Sequence, residues 1–180
     1  MCIEIEAKLK VESHDEIIKR LTELGAKFLA EQLQEDCYFD DASRSLTGTD
    51  RCLRLRRQQV GETEKILLTY KGPKEESELK RRQEIEIEVN STDSTKRLLS
   101  ILGYEKVLAL EKKRQSWQVG ECEVALDELP LLGRFVEIEG PDAEKVAFVQ
   151  RNLGLSDLRH IPESYAAIMA EKAHQESSRS

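Results

Sequence analysis

The chain has 180 residues, of which 39% are apolar and 35% carry a charge. Its net charge of −7 argues against general nucleic-acid binding, which needs an excess of Lys and Arg. No apolar run approaches the roughly 20 residues that span a bilayer, and the charged N-terminus is unlike a signal peptide, so we expect a cytoplasmic protein without a membrane segment.

Apolar and charged residues alternate in many segments, a pattern typical of strands with two different faces. In the first such segment, Ile3 and Ile5 point to one face, whereas Glu4, Glu6 and Lys8 point to the other. We predict strands at 3–11, 51–57, 65–71, 82–89, 111–119, 122–127 and 134–140, with a further short strand at Cys37–Asp40.

Four helical segments lie between or after these strands. Ser13 and Glu16 have the spacing of a capping box and predict a helix that ends at Gly25. The other helices are predicted from about Ser94 to Leu102, from Pro141 to just before Gly154, and from Pro162 onward. We expect one domain over residues 1–172 and a disordered tail at 173–180.

The charged strand faces differ from an ordinary solvated surface. Several strands present only carboxylates at alternate positions and others only Lys or Arg, and like charges at that spacing repel. The predicted helices carry apolar faces that need a sheet surface to cover. We therefore expect a curved sheet or barrel with helices outside and charged faces inside. Because buried charge is costly unless it is paired, that interior indicates an ionic ligand.

The charged residues with inward parity form two sets. The basic set has groups that bind phosphate oxygens and comprises Lys8, Lys10, Arg54, Arg56, Lys71, Lys112 and Arg114. The acidic set has groups that hold Mg²⁺ or Mn²⁺ and comprises Glu4, Glu6, Glu84, Glu86, Asp127, Glu137 and Glu139. Together, the two sets indicate a site for a metal–polyphosphate complex.

The run Glu4-Ile5-Glu6-Ala7-Lys8 matches the ExExK signature of the CYTH superfamily, the triphosphate tunnel metalloenzymes. Further motifs follow in family order: EDCYFD at 35–40, LRLR at 53–56, TYKG at 69–72, RQEIEIE at 82–88, EKKR at 111–114, LDELPLLGRFVEIE at 126–139 and ESYAAIM at 163–169. The chain resembles this superfamily over nearly its whole length, and it is most like the class IV adenylyl cyclase branch. The resemblance implies an α+β fold, an eight-stranded antiparallel tunnel with a charged interior and helices outside.

The resemblance also implies roles for individual residues. Glu4 and Glu6 resemble the metal-binding pair of the first strand, and Lys8 resembles the motif lysine that acts in catalysis beside them. The residues that resemble phosphate ligands are Arg54, Arg56, Lys71, Lys112 and Arg114. The residues that resemble the second metal-binding cluster are Asp127, Glu137 and Glu139. Glu84 and Glu86 are expected to contact metal, water or a basic neighbour, whereas Lys10 and Arg82 are expected at the surface.

The activity implied by this branch is conversion of ATP to cyclic AMP and pyrophosphate with Mg²⁺ or Mn²⁺. The alternatives are hydrolysis of inorganic triphosphate or thiamine triphosphate, and binding of a polyphosphate or nucleotide without turnover. The expected partner is a triphosphate-containing small molecule, with no nucleic acid and no membrane. The expected oligomeric state is a monomer or a homodimer.

Overall fold

A computed structural model describes the backbone of residues 2–73 and 80–177, and their side chains except those of 2–4, 80, 81, 173, 174, 176 and 177. The eight strands within this part of the chain are β1 (Cys2–Val11), β2 (Lys27–Asp40), β3 (Cys52–Val60), β4 (Thr63–Lys71), β5 (Lys80–Val89), β6 (Glu105–Val119), β7 (Cys122–Leu129) and β8 (Gly133–Gly140). The helices are α1 (Asp15–Glu23), α2 (Thr92–Ile101), α3 (Ala143–Asn152) and α4 (Tyr165–Ser177).

The strands form a closed antiparallel barrel in the order β1-β5-β4-β3-β2-β6-β7-β8. Closure comes from β1, which pairs with β5 on one side and with β8 on the other. The β3–β4 and β6–β7 hairpins turn at Gly61 and Gly120, both with positive φ. The eight-stranded antiparallel tunnel implied by the resemblance is confirmed.

Two strands are longer than the sequence predicts by six residues or more. β2 begins at Lys27, ten residues before the predicted start at Cys37, and β6 begins at Glu105 rather than at residue 111. Residues 27–33 of β2 are exposed or half-buried on both faces. A strand segment without a buried face has no reason to alternate apolar with polar residues, so this half of β2 carries no period-two pattern.

The helix starts also differ from prediction. α1 begins at Asp15, and Ser13 accepts a hydrogen bond from the Asp15 amide instead of forming a capping box with Glu16. Asp142 caps α3 by accepting from the Lys145 amide, which places Pro141 before the helix. The remaining corrections are that α2 begins at Thr92 after the cap Ser91, and that α4 begins at Tyr165 rather than at Pro162.

The ends of the first helices follow the sequence more closely. Gly25 and Gly103 lie just after α1 and α2 with φ of 68° and 88°, a conformation that glycine adopts without a steric penalty. α4 continues through residues 173–177, part of the predicted tail, and residues 178–180 lie outside the described residues. Residues 74–79, between β4 and β5, lie outside them as well.

The apolar core lies outside the barrel, between the strands and the helices. Val136 and Ile138 of β8 pack with Ile17 and Leu21 of α1 and with Val146 of α3. A second cluster places Leu55 of β3 under Leu99 of α2. Each fully buried aliphatic side chain contributes roughly 1.5–3 kcal/mol relative to exposure, so these contacts hold the helices onto the wall. With this face used for packing, the opposite face of each strand points into the barrel.

Within the described residues, none of the helices is both long enough and apolar enough to cross a membrane.

Candidate active site

The barrel encloses a polar cavity of about 380 Å³, within the size range of small-molecule sites. Seven cationic and five acidic residues are among the described residues of its wall. The cationic residues are Lys8, Arg54, Arg56, Lys71, Arg82, Lys112 and Arg114, and the acidic residues are Glu6, Glu84, Glu86, Glu137 and Glu139. Ser164 and Tyr165 line the wall from beyond the last strand.

Most of the residues selected from the sequence come together in this cavity. Two need separate mention: Glu4, whose side chain lies outside the described residues, and Asp127, which is fully buried behind the cavity wall. Lys10 is exposed, as predicted. The expectation for Arg82 was wrong, because Arg82 lines the cavity and is 4% exposed. The alternation along β5 places Arg82 on the charged face of the strand. The pattern of a single strand does not show, however, that a closed barrel encloses that face.

Arg56 is held by a carboxylate that sequence reasoning missed. Its Nε and Nη2 each donate a hydrogen bond of 2.7 Å to the carboxylate of Asp36, which lies on the neighbouring strand β2. Burial alone would raise the pKa of Asp36, but the charge and hydrogen bonds of Arg56 hold it well below its usual range. The pair therefore stays ionised and fixes the guanidinium plane at the cavity wall.

Asp127 of β7 holds cationic side chains of the neighbouring strand β6 in the same way. Arg114 donates two hydrogen bonds of 2.6 Å to its carboxylate, and the Lys112 ammonium donates a third at 3.0 Å. The hydroxyl of Tyr165 donates a fourth, at 2.9 Å. Desolvation, followed by the charge of Arg114, lowers the pKa of Lys112 to about 7. Asp127 thus holds two of the predicted phosphate ligands, and its own oxygens are engaged by protein donors.

Lys8 lies between carboxylates of β1 and β8. Its Nζ is 3.2 Å from Glu137 and 3.6 Å from Glu6, and it donates a hydrogen bond to the backbone oxygen of Glu163. Glu137 also accepts a hydrogen bond from Arg114. Glu139 is the direct cross-strand partner of Glu6 in the β1–β8 register. The two strands therefore present carboxylates and an ammonium group side by side.

Strands β3, β4 and β5 form the third charged region of the wall. The Lys71 ammonium donates to Glu84 at 2.6 Å, and Arg54 lies 3.7 Å from Glu86. Burial alone would lower the pKa of Arg54, but Asp36 and other acidic neighbours raise it above its usual range. The Nε atoms of Arg54 and Arg82 are buried, and among the described residues neither has a hydrogen-bond partner.

Two tyrosines of the wall were not identified as site residues. Tyr38 lines the cavity, and burial raises its pKa above its usual range. Tyr165 follows the barrel, at the first position of α4, so no strand alternation points to it. Trp117 packs with the apolar core outside the barrel and lies edge-on against Phe28.

The donor chemistry of the β1–β8 wall fits a hard cation shared with a ligand. Among residues with described side chains, no three of His, Cys, Asp and Glu form a metal-binding group. Mg²⁺ usually binds through one or two carboxylates plus substrate phosphates rather than in a full protein cage. The neighbouring glutamates Glu6 and Glu139 have the donor chemistry that the protein share of such a site would need.

Comparison with known proteins agrees with this geometry. The CYTH domain model matches residues 2–165. The putative adenylate cyclase MJ0240 of Methanocaldococcus jannaschii is 33% identical over 137 residues, covering 76% of each chain. The adenylate cyclase CyaB of Aeromonas hydrophila is 31% identical over 136 residues, covering 75% of this chain and 67% of that protein.

Solved structures show the same fold. The PH1819 protein of Pyrococcus horikoshii superposes with a TM-score of 0.82 at 31% identity, covering 94% of this chain and 99% of that one. HpAC1 of Hippeastrum, described as a putative adenylyl cyclase with a dominant triphosphatase activity, superposes with a TM-score of 0.73 at 19% identity, covering 96% of both chains. The family match spans the whole barrel and ends at Tyr165, so the chain belongs to the CYTH domain family.

Proposed function

We propose that the protein is a metal-dependent enzyme that binds a triphosphate in the barrel cavity and converts ATP to cyclic AMP and pyrophosphate. The observation that carries the proposal is the enclosed cavity whose described wall has more cationic than acidic residues. The names of the two adenylate cyclase relatives support the cyclase reaction.

The buried arginine donors favour an anionic ligand over a neutral one. A buried donor without an acceptor costs about 1–3 kcal/mol, and the Nε atoms of Arg54 and Arg82 are such donors among the described residues. A phosphate chain carries many acceptor oxygens and negative charge. Its binding would satisfy these donors and place acceptor oxygens against the cationic side chains that line the cavity.

The proposed metal ligands are Glu6, Glu137 and Glu139, together with Glu4 by its parity on β1. Asp127 is left out of this set, because Arg114, Lys112 and Tyr165 already engage its oxygens. When bound, Mg²⁺ or Mn²⁺ would supply activation of the attacking hydroxyl and neutralisation of phosphate charge.

In the cyclase reaction, the ribose 3′-oxygen attacks the α-phosphorus and the bond to the bridging oxygen of the β-phosphate breaks. The hydroxyl proton passes to water, and pyrophosphate leaves with the bonding electron pair. Arg54, Arg56 and Arg114 would bind phosphate oxygens and stabilise the charge that develops on the leaving group. Lys8, paired with Glu6 and Glu137, would orient the attacking group beside these carboxylates.

The second candidate is a triphosphatase, in which water attacks the terminal phosphate of ATP, inorganic triphosphate or thiamine triphosphate. The same cationic wall serves this reaction, and the activity described for HpAC1 favours it. The two reactions differ in which nucleophile reaches which phosphorus. The third hypothesis is a module that binds a polyphosphate or nucleotide without turnover. It predicts the same binding of triphosphates but no reaction products.

A product assay distinguishes the cyclase, the triphosphatase and the non-catalytic binding module. The protein is incubated with ATP, inorganic triphosphate or thiamine triphosphate, with Mg²⁺ and then with Mn²⁺, and the products are identified by phosphorus NMR. Cyclic AMP and pyrophosphate from ATP support the cyclase proposal. Orthophosphate from any of the three substrates, without cyclic AMP, would contradict the cyclase proposal and support the triphosphatase. Binding without product contradicts both enzymes.

A further inference from the structure

A second cleft lies outside the barrel, between α3 and the segment of residues 153–164 that joins α3 to α4. It has a volume of about 530 Å³, and its polar lining consists of Gln150, Arg151, Ser156, Arg159 and His160. None of the described residues that line it is acidic, although the chain as a whole has a net charge of −7. A wall with two arginines and a histidine but no carboxylate favours an anionic ligand.

The two arginines of this cleft are available to a ligand. Arg151 and Arg159 are both exposed, and among the described residues neither guanidinium group has a hydrogen-bond or ion-pair partner. By contrast, the exposed guanidinium of Arg57 pairs with Glu35 and Glu64. Two unpaired guanidinium groups carry the two positive charges that match a phosphate dianion, and each can bind two phosphate oxygens.

Gln150 fixes the orientation of the His160 ring. Gln150 is only 7% exposed, and its Nε2 donates a hydrogen bond of 3.0 Å to the backbone oxygen of Leu155. The amide oxygen therefore faces His160 and accepts a hydrogen bond of 2.9 Å from the ring Nε2. The ring Nδ1 has no partner among the described residues. It can accept from a phosphate hydroxyl or, when protonated, donate to a phosphate oxygen.

Backbone hydrogen bonds hold this segment against α3 and β1. The Leu155 amide donates to the backbone oxygen of Gln150 at 3.0 Å, and the Leu158 amide donates to that of Leu155 at 3.2 Å. Further along, the Ile161 amide donates to the backbone oxygen of Lys8 at 2.8 Å. Because the backbone is already held in place, binding would carry little entropic cost for ordering it.

The cleft has room for more than a phosphate group. A phosphate held by the two arginines and the histidine fills only part of the volume of about 530 Å³. Ala147 and Leu158 supply apolar surface in the same cleft, and Leu158 is 38% exposed. An organic group attached to the phosphate would cover this surface, and removing apolar surface from water is favourable.

We propose that this cleft is a binding site for a small phosphate monoester, separate from the barrel. The phosphate group binds Arg151, Arg159 and His160, and the organic group lies against Ala147 and Leu158. The site does not depend on the proposed function, because none of these five residues lines the barrel cavity.

The histidine rings report binding at this cleft directly. The chain has only three histidines, so NMR resolves the ring signals of His160, and His160→Gln assigns them. Adenosine 5′-monophosphate, inorganic phosphate and adenosine are titrated separately at constant pH and ionic strength, in phosphate-free buffer with EDTA. The monophosphate is expected to shift the His160 signals saturably and to bind at least about threefold more tightly than inorganic phosphate. Adenosine, which lacks the anionic group, should leave these signals unchanged.

Two results of these titrations would overturn the proposal. One is the absence of a saturable His160 shift with the monophosphate, including the case in which only the His14 signals move. The His14 ring lies 3.0 Å from the backbone oxygen of Phe135, so its signals report on the barrel wall instead. The other is equal affinity for the monophosphate and inorganic phosphate, which would leave the organic group without a role.

Arginine variants locate the binding in the cleft. Arg159→Gln removes one charge and its paired donors, and it is expected to weaken binding of the monophosphate by about tenfold or more. Arg151→Gln should act in the same direction. The matched control is Arg97→Gln, which removes the same charge from an exposed position on α2 outside the cleft and should keep the wild-type affinity. Equal losses in the control and the cleft variants would attribute binding to net charge and overturn the site.

Discussion

Arg56 and Arg57 are consecutive residues of β3, and their guanidinium groups lie on opposite sides of the barrel wall. Arg56 is 7% exposed and pairs with Asp36 inside, whereas the side chain of Arg57 is 48% exposed and pairs with Glu35 and Glu64 outside. Asp36 and Glu35 are consecutive as well, on β2. The molecule thus carries two Arg–carboxylate pairs of similar chemistry that differ mainly in burial.

Asp36→Asn should lower the free energy of unfolding far more than Glu35→Gln does. Removing one partner of a buried pair leaves an uncompensated charge and typically costs about 3–5 kcal/mol, whereas an exposed pair contributes about 0–1 kcal/mol. Urea denaturation near neutral pH measures both. Equal losses in the two variants would show that the Asp36–Arg56 pair is not buried as the structure has it.

Glu137→Gln should abolish metal-dependent turnover and should also lower the melting temperature. The charge of Glu137 is proposed to hold the metal, and the same carboxylate pairs with Lys8 and Arg114 in the barrel wall. Turnover and thermal unfolding are measured with Mg²⁺ and with EDTA. The control is Glu128→Gln, which removes an exposed carboxylate of β7 and should change neither quantity. Turnover by Glu137→Gln near the wild-type rate would rule out the metal assignment.

Lys112 should make the stability of the metal-free protein depend on pH. Its pKa is lowered in the folded chain to about 7 from 10.5, so between these values the unfolded chain binds more protons. The free energy of unfolding should therefore rise with pH across this window, by up to about 1.4 kcal/mol per pH unit for one proton. Below pH 7 both states hold the proton, and this contribution to the slope disappears.

In Lys112→Met, the free energy of unfolding should no longer show the share of its rise between pH 7 and pH 10 that comes from Lys112. Urea denaturation in EDTA measures this free energy. Lys113→Met is the matched control, because Lys113 is the next residue of β6 and is exposed. The control should keep the wild-type slope. A Lys112→Met protein with the same slope as wild type would show that Lys112 titrates in the folded chain as it does in the unfolded one.

Period-two alternation predicted the inside and outside of the barrel correctly for most of the charged wall. Leu55 and Arg56 show why: helix α2 needs an apolar surface to cover, so the leucine side turns outward and the arginine side is left facing inward. Parity alone, however, could not decide whether Arg82 lies at the surface or in the cavity. That depends on closure of the barrel by pairing of β1 with both β5 and β8.

Other features of the site depend on contacts between segments far apart in the chain. The pairing of Asp36 with Arg56 requires the register of β2 against β3, which a single strand does not encode. Tyr165 reaches the cavity from the start of α4, through hydrogen bonds to Lys8 in the first strand. The residues around Asp127 show the same limit. Parity selected Asp127 as a metal ligand, but the three donors that engage it are visible only in the folded barrel.

The central claim is that the cationic wall inside the barrel binds a triphosphate, and the Arg56–Arg57 pair tests it most directly. Calorimetry with inorganic triphosphate in EDTA, at two salt concentrations, compares wild type with Arg56→Ala and Arg57→Ala. The account predicts a loss of about ten- to a hundredfold in affinity for Arg56→Ala, from one charge-assisted contact, and little change for Arg57→Ala. Equal losses in the two variants, or equal affinity of the wild type for triphosphate and monophosphate, would contradict it.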